Sequence, residues 1–167
     1  MKYRRLGGTG LEVSEIGFGA EWMPGDDQEK VSRLVDFAAE QGVNIVDCWM
    51  ADPAVRRVLG NAVCAHRDKW IVQGHFGATW QNGQYTRTRD MDAVVSAWEE
   101  LLACFGGHIE LGLSTLWTRS PSSNESWTVR LSSACAPRRL PGTSITLAFP
   151  HTILRLRCGL RSRRTSR

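Results

Sequence analysis

Between Gln28 and Gln41, apolar side chains fall at Val31, Leu34, Val35 and Ala38. That i, i+3, i+4, i+7 spacing lines one face of an α-helix. Asp26 and Asp27 offer acceptors to the free N–H groups of its first turn, and Gly42 closes it. The pattern then changes period. Val43-Asn-Ile-Val-Asp47 is a short apolar run and reads as a buried strand. Pro53 opens a second helix with Val55, Val58, Leu59 and Ala62 on one face, and Trp70–His75 reads as another strand. Asp90 opens a third helix carrying Met91, Val94, Val95, Trp98, Leu101, Leu102 and Phe105 at helical spacing, and His108–Leu113 is a further strand. At the front, Lys2–Leu6 and Leu11–Ser14 flank Gly7-Gly-Thr-Gly10, a hairpin signature, and Ile16–Gly19 is a first short strand.

The order is a hairpin followed by alternating strands and helices. Such alternation predicts an α/β fold with a parallel sheet, because parallel neighbours need a crossover between them. The strands read as continuous apolar runs, as expected where both faces of a sheet are covered.

The chain has 167 residues, enough for one domain, with 42% apolar and 23% charged residues. No apolar run approaches the roughly 20 residues of a membrane span. The first ten residues lack the apolar stretch of a secretory signal. Five cysteines (Cys48, Cys64, Cys104, Cys135 and Cys158) are irregularly spaced and form no C-x-x-C. Free thiols in a reducing, cytoplasmic setting are expected from that usage, and no metal or cluster site.

The formal net charge of +4 averages two unlike segments. Residues 1–113 hold 16 of the 17 acids and 11 of the 21 bases, a net of −5. Residues 114–167 hold one acid, Glu125, and ten bases, all Arg, a net of +9. The same 54 residues contain 10 Ser and 7 Thr. So abrupt a shift marks a boundary between two kinds of sequence near Leu113.

The opening MKYRRLGGTGLEVSEIGFGAEW, and within it residues 7–19, resembles the start of the aldo-keto reductases. Gln41-Gly-Val-Asn-Ile-Val-Asp47 is similar to their second strand, Leu59-Gly60 to the following helix, and Arg67-Asp-Lys69 to the next strand entry. The resemblance runs from Met1 to about Leu113. It implies a (β/α)8 TIM barrel that is incomplete here, with the N-terminal hairpin and about four strands, followed by a disordered Arg/Ser-rich tail. It also implies NADP as cofactor and a small carbonyl compound as substrate, bound at the C-terminal ends of the strands.

Hydride transfer to a carbonyl leaves charge on oxygen, which an acid must neutralise. The family uses a Tyr whose proton is loosened by a Lys, the Lys oriented by an Asp, with a His from the fourth strand. The Asp matches Asp47. The Tyr position falls on Asp52 and the Lys position on His75, so both are replaced, and no His follows Leu113. Val46–Pro53 and Gln73–Tyr85 are similar to an atypical branch of the family, some of whose members carry a cysteine-rich iron–sulfur tail that this chain lacks. His75 is a candidate proton donor near neutral pH, or a strand-end histidine with satisfied hydrogen bonds. Asp47 is a candidate catalytic group, or a cap on the following turn. Gly17, Gly19 and Ala20 are candidates for close approach of a nicotinamide, or form a plain tight turn. Tyr85 reads as a loop residue rather than a replacement acid.

The tail reads as the same gene translated out of frame. Leu147–Arg155 can be encoded so that the shifted frame yields Gly-Leu-Ser-Thr-His-Asn-Pro-Glu, similar to the family's sixth-strand segment. Under the same shift, Ser114–Val129 permits His-Pro-Val-Asp-Glu-Glu-Pro-Glu-Phe-Glu-Arg-Val-Met-Asp-Gly, which places a His directly after the fourth strand. The first two bases of most codons are nearly fixed by the amino acid; the third bases, and the choice among the six codons of Leu, Ser and Arg, are free in this construction. The expectation is thus a truncated, inactive oxidoreductase fragment, residues 1–113, with an out-of-frame segment at 114–167. Two other readings stand beside it. One is a non-enzymatic interaction protein that self-associates through open sheet edges. The other is a nucleic-acid binder using the Arg-rich tail, disfavoured by the lack of Lys there and of aromatics interleaved with the bases.

Overall fold

A computed structural model describes residues 1–115, 144–149 and 152–157. Strands β1 (Tyr3–Arg5) and β2 (Glu12–Ser14) form the expected antiparallel hairpin. Next come β3 (Phe18–Gly19), α1 (Gln28–Glu40), β4 (Ile45–Cys48), α2 (Pro53–Cys64), a 3-10 turn (Arg67–Lys69) and β5 (Ile71–Phe76). Then β6 (Ala78–Gln81) pairs antiparallel with β7 (Gln84–Arg87), followed by α3 (Met91–Cys104) and β8 (Leu111–Ser114). Two strands lie beyond residue 114: β9 (Ser144–Phe149) and β10 (Thr152–Arg157).

The main sheet has the order β10-β9-β8-β5-β4-β3. From β3 through β9 every neighbouring pair is parallel, and β10 returns antiparallel to β9. Each parallel strand lies beside the one before it in the main sheet, with a helix on the crossovers into β4, β5 and β8. That is the progressive winding of a (β/α)8 barrel wall, as the resemblance implied. β9 extends the wall past Leu113, with Leu111 opposite Thr146 and Leu113 opposite Ala148. The disordered tail expected from the sequence falls, at residues 116–143, 150–151 and 158–167, outside the described residues.

The helices start where local chemistry provides acceptors. Asp27, Asp52 and Asp90 cap α1, α2 and α3 by accepting from the backbone N–H of Lys30, Ala54 and Ala93 at 2.9, 2.8 and 2.9 Å. α1 is closed past its last residue, Glu40, by Gly42, whose φ of +83° suits glycine. Val31 and Val35 of α1, Leu59 and Val63 of α2, and Val94, Trp98 and Leu101 of α3 pack on Val46, Val72 and Phe76 of the sheet. Phe76 stacks on Trp98 with ring centroids 3.8 Å apart. Gly74 lets this happen: a Cβ there would lie 2.6 Å from Leu101 Cδ2 and 2.9 Å from Trp98.

The amino-terminal rim of the sheet is closed by polar side chains. Asn44, just before β4, accepts from the Ser14 N–H and donates to the Glu12 carbonyl at 2.8 and 2.9 Å, which fixes the hairpin across that end. Arg67 donates to both carboxylate oxygens of Glu110 and to the carbonyls of Trp70, Phe105 and His108. Glu110 also accepts from the Val72 N–H at 2.8 Å. These bonds occupy His108–Glu110, so β8 begins at Leu111 rather than at His108 as the apolar run suggested.

Candidate functional site

Side chains alternate across a strand, and this decides what meets at the carboxyl ends of the parallel strands. In β4, Val46 and Cys48 turn toward the helices, which leaves Asp47 on the opposite face. In β5, Val72, Gly74 and Phe76 meet the helices, which leaves Gln73 and His75 with Asp47. The register places Gln73 directly opposite Asp47. His75 Nε2 lies 2.8 Å from Asp47 Oδ1, and Gln73 Nε2 donates to the same oxygen at 3.0 Å. Burial pushes the Asp47 carboxyl up, but the hydrogen bond and charge of His75 and the Gln73 amide outweigh it. The group ends below its ordinary value. Asp47 is therefore an ionised acceptor for the histidine and not the cap of the following turn, a task Asp52 performs.

His75 is nearly buried, at 7% exposure of its side chain. One ring nitrogen meets Asp47, while Nδ1 is buried with no partner. This is half of each sequence reading: a histidine anchored on one side and unspent on the other. An imidazole held this way can take a proton on one nitrogen and give one from the other.

Gly19, at the end of β3, lies opposite Asp47, and a Cβ built on it would meet nothing within 4 Å. The strand end is open there, so a flat ring can approach the backbone. Ala20 is buried at 1% exposure, and its N–H donates to the Asp47 carbonyl at 3.1 Å. It therefore fixes the strand end and has no free donor to offer. Gly17 lies farther back, where a Cβ built on it would meet Ile45 Cγ2 at 3.4 Å.

The region after β5 differs from the sequence reading. Tyr85 is not in a loop but in β7, opposite Trp80. The hairpin turns at Asn82-Gly83, both at positive φ (52° and 74°), the combination a tight two-residue turn requires. Asn-Gly between aromatic residues was the available signal for it. Tyr85 packs on Trp49 with centroids 4.6 Å apart and the rings tilted by 31°, and Arg87 lies over its ring at 6.0 Å. Its hydroxyl is buried without a partner. Trp49 follows Asp47 by two residues, so the hairpin folds against the same end of the sheet. Gln73 and the Trp49–Tyr85 pair are the site features that sequence reasoning missed.

Beneath the site, Arg56 of α2 is 1% exposed and donates to the Met50 carbonyl at 3.2 Å and the Ala97 carbonyl at 3.0 Å. It ties the segment after β4 to α3. Burial pushes the neighbouring Cys48 thiol up to about 12, so it is no nucleophile. Cys48, Cys64 and Cys104 are free thiols. Among the described residues no group of three or more His, Cys, Asp or Glu side chains could hold a metal, and no helix is long and apolar enough to cross a membrane.

No family model matches the chain. Over 87 residues it is 31% identical to the uncharacterized oxidoreductase YqkF of Bacillus subtilis, a stretch that is 50% of this chain and 28% of that protein. Among solved structures it is similar to the aldo-keto reductase AKR11C1 of Bacillus halodurans in its holo form. The TM-score is 0.69 at 22% identity, over 88% of this chain and 50% of that one. It is also similar to the glycerol dehydrogenase AKR11B4 of Gluconobacter oxydans, with TM-score 0.65 at 17% identity over 89% and 49% of the two chains. For PA4992 of Pseudomonas aeruginosa, assigned as an aldo-keto reductase, the values are 0.66 and 22%, over 87% and 59%. The chain thus spans roughly half the length of these structures and just over a quarter of the curated relative. By the winding of its sheet, its amino-terminal hairpin and these matches, the chain has the fold of the aldo-keto reductases over about half of their barrel.

Proposed function

We propose that residues 1–113 are the amino-terminal part of an NAD(P)H-dependent oxidoreductase that reduces a small carbonyl compound, with Asp47 and His75 as its proton-handling pair. One observation carries this reading: the 2.8 Å contact between His75 and an ionised Asp47 at the carboxyl ends of adjacent parallel strands. The open backbone at Gly19 suits a nicotinamide ring, which when bound supplies the hydride. Asp47 orients the imidazole through its 2.8 Å contact with Nε2. His75 Nδ1, the ring nitrogen that Asp47 does not engage, is then the candidate donor to the substrate oxygen, which has to reach it at a position that is buried in this structure. Gln73 holds Asp47 from the other side and fixes the carboxylate plane. The absence of the family's Tyr and Lys at positions 52 and 75 makes His75 the candidate acid in their place.

The chain by itself does not turn over in this proposal. In the family the residues that grip the cofactor's adenosine phosphate come from later strands, and the chain reaches only 49–59% of its structural neighbours. The composition break near Leu113 and the family-like segments in the shifted frame support a reading error after that codon. Two assays test the proposal. The chain as it stands, mixed with NADPH and aldehydes or quinones, is expected to show no loss of reduced cofactor, and a measurable rate overturns the inactivity. The gene read one base over from codon 114 is expected to yield NADPH oxidation that His75→Gln lowers about 100-fold, the usual scale for a general acid. A restored chain without turnover, or one indifferent to His75, overturns the assignment of function.

A further inference from the structure

Cys64 is the last residue of α2 and Cys104 the last residue of α3. The two helices come together at Gly60: a Cβ there would lie 2.2 Å from the Cys104 carbonyl oxygen and 3.1 Å from Cys104 Cβ. Only glycine permits so close an approach. Cys64 is four residues, about one helical turn, farther along the same face of α2. Its Sγ reaches the Cys104 carbonyl oxygen at 3.6 Å. Cys64 is exposed and Cys104 half-buried, whereas Cys48 is buried.

From this juxtaposition we infer that Cys64 and Cys104 are an oxidisable pair, closed to a disulfide by a hydroperoxide. The exposed Cys64 meets the oxidant first. Its thiolate attacks one peroxide oxygen, the O–O bond breaks, and the departing oxygen leaves as water or an alcohol after taking up a proton. Cys64 is then a sulfenic acid. The Cys104 sulfur attacks the Cys64 sulfur, the S–O bond breaks, and the hydroxyl leaves as water with the Cys104 proton. Two thiols are oxidised by two electrons and one peroxide is reduced, so the reaction balances. Burial, followed by the nearby charge of Glu100, holds the Cys104 thiol above its ordinary value, so it is not the group that peroxide oxidises first. The bond would tie the carboxyl ends of α2 and α3, from which the chain enters β5 and β8 at the amino-terminal rim. It would brace the end of the sheet opposite Asp47 and His75 and leave the site untouched. The inference does not depend on the proposed function.

The test uses the full chain with Cys135→Ser and Cys158→Ser, which leaves Cys48, Cys64 and Cys104. It is treated with hydrogen peroxide, once in native buffer and once in guanidinium, followed by thiol titration and peptide mapping. The expected native result is the loss of two titratable thiols, a single linked peptide pair containing Cys64 and Cys104, intact Cys48, and a higher melting midpoint. In guanidinium the pairings should be mixed. Unlinked Cys64 and Cys104, an over-oxidised Cys64 standing alone, or the same pairings in both buffers would overturn the inference. Mapping the unsubstituted chain under the same native treatment guards against an effect of the two serines: there, too, Cys64 must be found joined to Cys104.

Discussion

The two ends of the parallel sheet are built on opposite terms. At the amino-terminal rim the main polar groups are spent: Arg67 gives its donors to Glu110 and three carbonyls, Glu110 also takes the Val72 N–H, and Asn44 locks the hairpin. At the carboxyl end valences are left over. His75 Nδ1 and the Tyr85 hydroxyl are buried without partners, and Gly19 leaves open space. An unsatisfied buried polar atom costs about 1–3 kcal/mol, so a rim that tolerates two of them is not arranged for stability. The difference teaches where to look for chemistry: strand amino ends carry stability in such folds, strand carboxyl ends carry function.

The sharpest way to break the comparison is at the saturated rim. Arg67→Met leaves Glu110, only 17% exposed, with just the His108 ring nitrogen at 3.1 Å and the Val72 N–H as partners, and takes the Arg67 donors from three carbonyls. A loss of about 3 kcal/mol is expected in urea denaturation at neutral pH. A cost below 1 kcal/mol would show that this end is not the anchor.

The core beneath the sheet gives the next largest effect, read through pH. The Cys48 thiol is raised from 9.0 to about 12 in the folded chain, so the unfolded chain loses its proton first as pH rises. Stability from this group is complete below pH 9 and drains away above it, by roughly 2–3 kcal/mol at pH 11. The difference in stability between the parent and Cys48→Ala, followed from pH 8 to 11, should shrink by that amount. A constant difference would mean that Cys48 is not sealed from water.

Smaller effects are expected at the carboxyl end. Gly83→Ala places a side chain at φ 74° in the Asn82-Gly83 turn and should cost about 1 kcal/mol, with a change in Trp49 fluorescence as Tyr85 shifts against it. Unchanged fluorescence and stability would detach the hairpin from the site. Asp47→Asn should cost less than about 1 kcal/mol at pH 7, because the carboxylate is 39% exposed and screened. The Asp47 carboxyl is lowered from 3.8, so its contribution holds above that value and fades as pH falls below it. The substitution should therefore flatten the acid limb of the stability profile. An Asp47→Asn loss equal to that of Arg67→Met would erase the distinction between the two ends.

Much of this was legible in the residues. The spacing of Val31, Val35 and Ala38, the caps at Asp27 and Asp90, and the apolar runs before Asp47 and His75 each report on local backbone, and local preferences act within one turn or one strand. Asp47 and His75 were singled out one at a time. Their contact was not legible, because it depends on which residue of β4 stands opposite which residue of β5. The Tyr85 hairpin had a local signal in Asn82-Gly83, but its docking on Trp49 is a contact across 36 positions that no local rule contains.

The sequence by itself settled the alternation of strands and helices, the faces they bury and the break in composition near Leu113, since these follow from periodicity and charge along one chain. The tertiary structure alone decided that His75 and Gln73 converge on one carboxylate, that Arg56 is buried beneath them, and that Cys64 rests against Cys104. The physical reason is the same in each case. Register and helix-on-sheet packing are set by the summed fit of many side chains, and only that fit fixes distances between groups far apart along the chain.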